Sequence, residues 1–307
     1  MSSARRALFM ASVFVAACGG TSSTGGDAGN GTNDGGTGGD GGSDSLCVTN
    51  VSADVPEVYR RFFSCADVSV DGSNVVLKTR ALPPYKTYYY GAASPNYAPF
   101  DTSRGPEYKG NPNTLREQSL TFRIPKDPVA RGVTITAAIV DGVAGGQMST
   151  YDYKMGPAGI AVNSVLLYNP LAAPGDDIEQ EKYTFDDYNA HPDPGGNYHY
   201  HTVSKGPLEQ LQKRGLVTKT TPGTAEIEFY GVMCDGTFVL GCTELDGGAP
   251  NTSDLDPQNG HVHDMKASDG AALATARYHV HMCPSGFASA PRKFTPEVRY
   301  YSTCVVE

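Results

Sequence analysis

Residues 226–240, with the sequence EIEFYGVMCDGTFVL, form the stretch that best defines the fold. Mainly apolar residues lie on both sides of Asp235-Gly236 within this stretch. Asp-Gly between two apolar runs is the sequence that a two-residue type I′ turn prefers. The stretch therefore predicts a β-hairpin in which Cys234 lies opposite Thr237.

Similar short runs with a β pattern lie on both sides of this hairpin, and turns rich in Gly, Pro, Asn and Asp separate them. The predicted strands cover residues 74–78, 119–124, 133–140, 160–168, 225–233, 238–240 and 276–282. Helices are predicted only over 176–188 and 208–214. This pattern indicates a mainly β protein, with a single sandwich-like or distorted-barrel domain and one or two short helices.

The N-terminal segment has the features of a targeting signal. Arg5 and Arg6 precede a short apolar run that ends in VAAC, with Cys18 as its last residue. This order resembles a bacterial lipoprotein signal peptide over residues 1–17, after which Cys18 carries the lipid and becomes the mature N-terminus. An ordinary secretory signal cleaved near Ala17 is the alternative.

The residues that follow Cys18 predict a disordered tether. Residues 19–45 contain 12 Gly among 27 residues, and the others are Ser, Thr, Asp, Asn and one Ala, none of which can drive burial. We therefore expect a lipidated Cys and tether over 18–45 and a globular domain over 46–307. Gly19 and Gly20 occupy the positions where Asp often marks retention in the inner membrane, which favours the outer membrane or cell surface.

The charge balance excludes one class of partner. The chain has 24 Lys and Arg against 33 Asp and Glu, for a net charge of −9. Nucleic-acid binding needs clustered basic residues, so we expect none. The expected partners are the membrane, through the lipid, and a metal ion, and the sequence does not identify a protein partner.

The domain has six cysteines in addition to Cys18. An even number in an exported domain predicts disulfide bonds, and six cysteines allow fifteen pairings. Short separation favours Cys47 with Cys65 and Cys283 with Cys304. The pair that remains, Cys234 with Cys242, conflicts with the predicted tight turn, because Cys242 lies several residues further along the hairpin.

The histidines are concentrated in one part of the chain. All seven lie between positions 191 and 281, and six of them form three His-x-His pairs. Residues i and i+2 of a strand point to the same side, so each pair can offer two imidazoles to one metal ion. Seven imidazoles exceed the needs of a single four-coordinate ion, so either some support the ligands or there are two ions. The predicted metal ligands are His191, His199, His201, His261, His263, His279 and His281.

Tyrosine and aspartate residues near the histidines are candidates for supporting hydrogen bonds. Tyr198 and Tyr278 precede histidines and should face the opposite side of the strand, where core packing is the simplest role. Asp235 and Asp256 could orient imidazoles, although Asp235 also has the residue type that its turn requires.

A linked set of motifs resembles the bacterial YHYH-domain family. Its central element is the stretch HPDPGGNYHYH over residues 191–201. Further pieces in the family's order are NPN at 111–113, FRIP at 122–125, GIAVN at 159–163, the DG hairpin at 231–241, LDPQNGH at 255–261 and YHVH at 278–281. The resemblance covers about 74–285, with Ala190, Pro257 and Val280 as departures from the family pattern. It implies an exported protein that binds metal through these histidines.

Three hypotheses on function follow. The first is a membrane-anchored extracytoplasmic protein that binds a transition metal, copper or zinc. The second is a metal-dependent hydrolase or oxidase, for which no nucleophile-elbow, phosphate-loop or HExxH motif is present. The third is a surface binding or adhesion module in which the histidines are structural.

Overall fold

A computed structural model describes residues 46–144, 152–173, 176–284 and 294–307. The predicted signal peptide, the lipidation site at Cys18 and the tether lie outside the described residues. Within the described residues, no helix combines the length and the apolar character needed to cross a membrane.

The described residues form strands in two sheets. In chain order the strands are β1 (Asn50–Val51), β2 (Asp67–Asp71), β3 (Asn74–Thr79), β4 (Leu120–Pro125), β5 (Pro157–Ala161), β6 (Leu166–Tyr168), β7 (Ala190–Pro192), β8 (Tyr198–Tyr200), β9 (Phe229–Met233), β10 (Phe238–Leu240), β11 (Gly260–Lys266), β12 (Ala272–His281) and β13 (Val305–Val306). A five-stranded sheet has the order β1-β2-β3-β4-β13, and an eight-stranded sheet has the order β11-β12-β10-β9-β5-β6-β8-β7.

Helices are short. The α-helices are α1 (Glu57–Phe62), α2 (Ala137–Ala144), α3 (Ile178–Glu181) and α4 (Lys205–Lys213), and 3-10 turns cover Tyr88–Tyr90, Thr102–Arg104 and Lys182–Thr184. Buried residues from both sheets, among them Leu77 of β3 and Ile160 of β5, belong to one hydrophobic core. The prediction of a mainly β domain with few short helices is confirmed.

The eight-stranded sheet has an approximate two-fold symmetry. Its central strands β5 and β9 are antiparallel, with Ile160 opposite Val232. On each side the central strand forms a hairpin with the next one, β6 or β10. A parallel strand then follows, β8 beside β6 and β12 beside β10. The outer strands β7 and β11 pair antiparallel with β8 and β12, so the two halves repeat one arrangement about the centre.

Two glycines allow the halves to meet. A Cβ atom at Gly231 would lie 2.3 Å from the backbone oxygen of Ile160, and a Cβ at Gly159 would lie 2.6 Å from the backbone oxygen of Val232. Backbone atoms cannot move aside as a flexible side chain can, so any larger residue would force β5 and β9 apart. These glycines occupy equivalent positions of the two halves.

The two central hairpins have three-residue turns. Met233 N–H donates to the Thr237 carbonyl at 2.8 Å, so Cys234 lies within the turn and not opposite Thr237. Gly236 takes the left-handed conformation that this longer turn needs, at φ +100°. The prediction of the hairpin is therefore confirmed, but its two-residue type I′ turn is wrong. The equivalent residue of the other turn is Ser164, at φ +67°.

Several predicted elements differ from the structure. The single strand expected over 160–168 is the hairpin β5–β6, because Ser164 reverses the chain. The strand expected over 133–140 is wrong, since α2 begins at Ala137. Val140 and Val143 of α2 are buried with Val298 in a small separate core. The spacing of three residues between Val140 and Val143 fits a helix, but both are β-branched, which favoured the prediction of a strand. The helix expected over 176–188 consists only of α3 and a 3-10 turn.

Three disulfide bonds connect the domain. Cys47–Cys65 is confirmed, whereas the pairs Cys283–Cys304 and Cys234–Cys242 are wrong. The other bonds are Cys234–Cys304, with a Cα–Cα distance of 4.7 Å, and Cys242–Cys283, also at 4.7 Å. The reason is topological: β10 and β12 run parallel with Leu240 beside His281, which brings Cys242 next to Cys283.

Candidate metal centres

The first group of histidines, named here the β7–β8 cluster, consists of His191, His199 and His201. His191 lies directly opposite His199 on the neighbouring strand, and His201 follows two residues later on the same side. The three rings are buried, with 2% of each residue exposed. One nitrogen from each lies within 4.8 Å of the others, and the Nε2 atoms of His199 and His201 are 2.9 Å apart.

Each ring of the β7–β8 cluster is held through Nδ1. The Nδ1 of His199 lies 2.7 Å from the Asn197 carbonyl, and that of His201 lies 2.6 Å from the Asn169 carbonyl. The Nδ1 of His191 lies 2.6 Å from the hydroxyl of Thr184, whose own proton goes to the Glu181 carbonyl. All three acceptors can only accept here, so Nδ1 carries the proton in each ring.

The second group, named here the β11–β12 cluster, consists of Glu244, His261, His263, His279 and His281. Its histidines come from two neighbouring antiparallel strands, with His261 opposite His279. Glu244 Oε1 lies 3.1 Å from His261 Nε2 and 3.2 Å from His263 Nε2 and from His281 Nε2. Its other oxygen lies 3.2 Å from His279 Nε2. Four imidazoles therefore surround one carboxylate.

The rings of the β11–β12 cluster are held in the same way. Nδ1 of His279 contacts the Arg277 carbonyl at 2.9 Å, Nδ1 of His281 the Gly241 carbonyl at 2.9 Å, and Nδ1 of His263 the Asp264 carbonyl at 2.8 Å. Nδ1 of His261 contacts a carboxylate oxygen of Asp254 at 2.9 Å. In all seven histidines, Nδ1 therefore faces an oxygen and Nε2 points into a cluster.

This arrangement fits a bound cation. A neutral imidazole that is protonated on Nδ1 presents a lone pair on Nε2. The Nε2 lone pairs of His199 and His201 then face each other at 2.9 Å, and those around Glu244 face carboxylate oxygens that also only accept. Nε2 of His191 is buried and makes no hydrogen bond within the described residues. A positive ion among these atoms would remove the repulsion, and two nitrogens bound to one ion at 2.0–2.1 Å lie about 3 Å apart.

Protonation of the histidines supplies only part of the positive charge that would remove this repulsion. Burial lowers the pKa of His191 and His199 well below the ordinary value, and it lowers the pKa of His201 to about 4. These rings are therefore neutral at pH 7. Burial also opposes protonation of His261, but the carboxylates of Glu244 and Asp254 together raise its pKa.

Carboxylates outside the histidine clusters shape the supporting turns. Asp256 accepts the backbone N–H groups of Gln258 and Gly260, both at 2.9 Å, and the hydroxyl of Tyr278 at 2.6 Å. In the other half Asp186 accepts the hydroxyl of Tyr198 at 2.5 Å. Burial raises the pKa of both carboxyls, that of Asp186 to about 6.

These turns are equivalent in the two halves. Asn189 and Asn259 each lie three residues after the Asp and two before a cluster histidine, at φ +54° and +58°. Asn adopts this left-handed conformation more readily than other residues with side chains. Each turn therefore starts the strand that carries His191 or His261.

The structure separates the predicted ligands. It brings all seven histidines into clusters, but the clusters lie at opposite ends of the eight-stranded sheet, so a site shared by His199 and His279 is wrong. The alternative of two ions stays a prediction. Tyr198 and Tyr278 bond to aspartates and not to imidazoles, as the core role predicts.

The expected support of an imidazole by Asp235 is wrong. Its carboxylate accepts the Tyr153 hydroxyl at 2.9 Å, the Thr237 N–H at 2.9 Å and the backbone N–H groups of Tyr300 and Tyr301 at 3.1 and 3.0 Å. Asp235 therefore joins its turn to the C-terminal segment.

Sequence reasoning missed Glu244 and Asp254. Neither belongs to a recognisable motif, and Glu244 lies 17 residues before the first histidine that it contacts. Only the parallel pairing of β10 with β12, which brings the residues after Leu240 beside His281, connects Glu244 with the histidines.

Comparison with known families agrees with this geometry. A family model described as YHYH protein matches residues 122–243. Residues 122–243 are therefore similar to the YHYH protein family. This matched segment contains the whole β7–β8 cluster and ends one residue before Glu244, so the β11–β12 cluster lies beyond it. No curated protein and no solved structure matches the chain at a significant level.

Proposed function

We propose that this protein is an exported transition-metal-binding protein with one ion at each histidine cluster. The observation that carries the proposal is the orientation of all seven imidazoles. Each has an oxygen beside Nδ1, which directs Nε2 into a cluster of other nitrogen and oxygen atoms. Metal-bound histidines in proteins are generally fixed in this way by a hydrogen bond from the other ring nitrogen.

Copper or zinc is the proposed ion. Imidazole suits both metals, and the carboxylate of Glu244 is a further ligand that zinc accepts. The six cysteines of the domain are all in disulfide bonds, so none of them supplies the thiolate that a blue-copper centre needs.

Attachment to a membrane is the other part of the proposal. Three disulfide bonds indicate an oxidising compartment outside the cytoplasm. In the proposal, Cys18 carries a lipid that holds the domain at the outer membrane or cell surface, and residues 19–45 act as the tether. Mass spectrometry of the mature N-terminus would detect diacylglycerol on the sulfur of Cys18, whereas an unmodified Cys18 would contradict the anchor.

Metal content tests the main proposal. Protein purified without a His tag, from cells supplied with copper or zinc, should contain two metal ions per chain. His199→Ala with His201→Ala should leave one ion, and His261→Ala with His279→Ala should leave the other. A wild-type protein that contains no metal and takes up none on titration would contradict the proposal.

A further inference from the structure

The two clusters are built on the same frame but differ in their donors. The β11–β12 cluster has four imidazoles and a carboxylate, whereas the β7–β8 cluster has three imidazoles. The equivalence of the halves identifies what is missing. The position equivalent to His263, two residues after His191, is Asp193. Glu244 lies three residues after Gly241, whose carbonyl contacts His281. The equivalent position in the other half is Ala172, three residues after Asn169, whose carbonyl contacts His201.

Asp193 does not replace the missing imidazole. One of its carboxylate oxygens accepts the Tyr168 hydroxyl at 2.7 Å and the side-chain amide of Asn197 at 2.9 Å, and the other accepts the Asn197 N–H at 3.0 Å. These bonds turn the carboxylate into the loop between β7 and β8. Glu181 of α3 has its Oε1 3.7 Å from His191 Nε2, but it does not belong to the group of donor atoms that all lie within 4.8 Å of one another.

A cavity lies in front of the three imidazoles. It has a volume of about 840 Å³, and all three histidines of the β7–β8 cluster line it. A depression of about 440 Å³ beside the other cluster is lined by Glu244 and His263 but by none of the three remaining histidines. The larger of the two spaces, and the one lined by every histidine of its cluster, therefore lies at the three-histidine cluster.

We propose that the metal at the β7–β8 cluster keeps coordination positions open toward this cavity and binds a small exogenous ligand there. This inference rests on the proposed function. Three protein donors and an adjacent cavity are the usual features of a centre that exchanges ligands, whereas a full donor set is usual in a centre that only holds its ion. In this protein the β11–β12 cluster, with its five donor residues, is the centre that only holds its ion.

The cavity wall limits the class of ligand. Its lining residues include the acidic Asp176, Asp177, Glu181 and Asp193 and the apolar Met155 and Leu171. Acidic walls repel compounds with several negative charges. The ligand class is therefore a small molecule with one oxygen or nitrogen donor for the metal and at most one negative charge.

Cobalt(II) provides a spectroscopic test, with azide as the probe. The protein is stripped with a chelator, loaded with cobalt and titrated with sodium azide while the visible absorption is recorded. In wild type, one of the two cobalt ions should show a saturable change of its d–d bands. The variant His261→Ala with His279→Ala should retain the responding ion, and His199→Ala with His201→Ala should retain the silent one.

The outcomes separate the two proposals. Failure of cobalt to bind would remove both the proposed function and this inference. Binding of two cobalt ions with no response to azide, or with an equal response from both, would overturn the inference and leave the proposed function intact. If a double alanine variant does not fold, the wild-type spectrum still tests the inference. One of the two cobalt ions is expected to respond to azide, so a response from neither ion or from both would contradict it.

Discussion

At the scale of single residues, Glu244 is the side chain that most distinguishes the two centres. Its carboxylate lies 3.1–3.2 Å from four imidazole nitrogens. These contacts keep its pKa well below the ordinary value although burial opposes this. The negative charge of the carboxylate would partly neutralise a bound divalent ion. A neutral amide of the same shape cannot do this.

Glu244→Gln should therefore weaken metal binding at the β11–β12 cluster by roughly 100-fold or more. The fold should persist without metal, because the new amide can donate to an unprotonated Nε2. Competition with a chromophoric chelator would measure the affinity of each ion. Glu226→Gln is the matched control, since Glu226 is a carboxylate that accepts hydrogen bonds from Thr218 away from both clusters. Equal affinities in the two variants would contradict the prediction.

The histidines of the two clusters could be predicted from the sequence, but their grouping could not. Spacing at i and i+2 assigns His199 with His201 to one side of a strand. It cannot show that β6, β5, β9 and β10 separate them from His279, because that depends on the order of strands in the sheet. Glu244 belongs to no sequence pattern, because only the pairing between β10 and β12 brings it beside the histidines.

At the scale of structural elements, the turn from Asp186 to Ala190 predicts a dependence of stability on pH. Burial raises the pKa of Asp186 from 3.8 to about 6, and hydrogen bonds from Thr87 and Tyr198 limit the rise. The folded protein therefore holds this proton at pH values where the unfolded chain has lost it. The stabilising effect is complete below pH 3.8 and is lost as the pH rises through 6.

Asp186→Asn should remove this effect. In metal-free protein, the free energy of unfolding of wild type relative to the variant should fall by about 2.4 kcal/mol between pH 4 and pH 7, which is most of the ~3 kcal/mol that the full shift in pKa represents. Urea unfolding at several pH values, followed by circular dichroism, would measure it. A difference between the two proteins that stays constant with pH would show that burial does not control this carboxyl.

The hairpins show where prediction at this scale ends. Apolar runs on both sides of Asp235-Gly236 are sufficient to predict two strands and a reversal. The length of the turn is decided by one hydrogen bond, from Met233 N–H to the Thr237 carbonyl, and by the disulfide that draws Cys234 toward Cys304. Neither is visible in the local sequence.

At the scale of the whole molecule, the Cys242–Cys283 bond links the end of β10 to the end of β12 across 41 residues. A loop of this length is expected to lower the entropy of the unfolded chain by an amount worth about 4 kcal/mol. The bond also lies next to Gly241, whose carbonyl holds His281. It therefore supports both the fold and the β11–β12 cluster.

Replacement of Cys242 and Cys283 by Ser should lower the free energy of unfolding by about 3–4 kcal/mol and weaken metal binding at the β11–β12 cluster only. Denaturant unfolding and chelator competition would measure the two effects. Replacement of Cys47 and Cys65 is the control, because that bond lies away from both clusters and should affect stability alone. A loss of affinity at the β7–β8 cluster in the first variant would contradict the assignment.

The two-fold repeat was not evident from the sequence. Equivalent residues are 72 positions apart in the hairpins, 70 in the turns and 80 in the Tyr-His-x-His strands, because insertions of different length separate them. Few residues are identical between the halves. Strand pairing shows the relation that sequence spacing conceals.

One consequence concerns the margins of the eight-stranded sheet. Within the described residues, β7 and β11 are its outermost strands, and each is joined to its inner neighbour by a facing pair of histidines, His191 with His199 and His261 with His279. Under the proposed function, an ion bound by such a pair would link the two strands, and its binding energy would add to that of folding. Loss of the ions would loosen the sheet from both sides at once. Outer strands that have lost their ion could then pair with those of another molecule. The metal content of the surroundings would therefore govern self-association as well as stability.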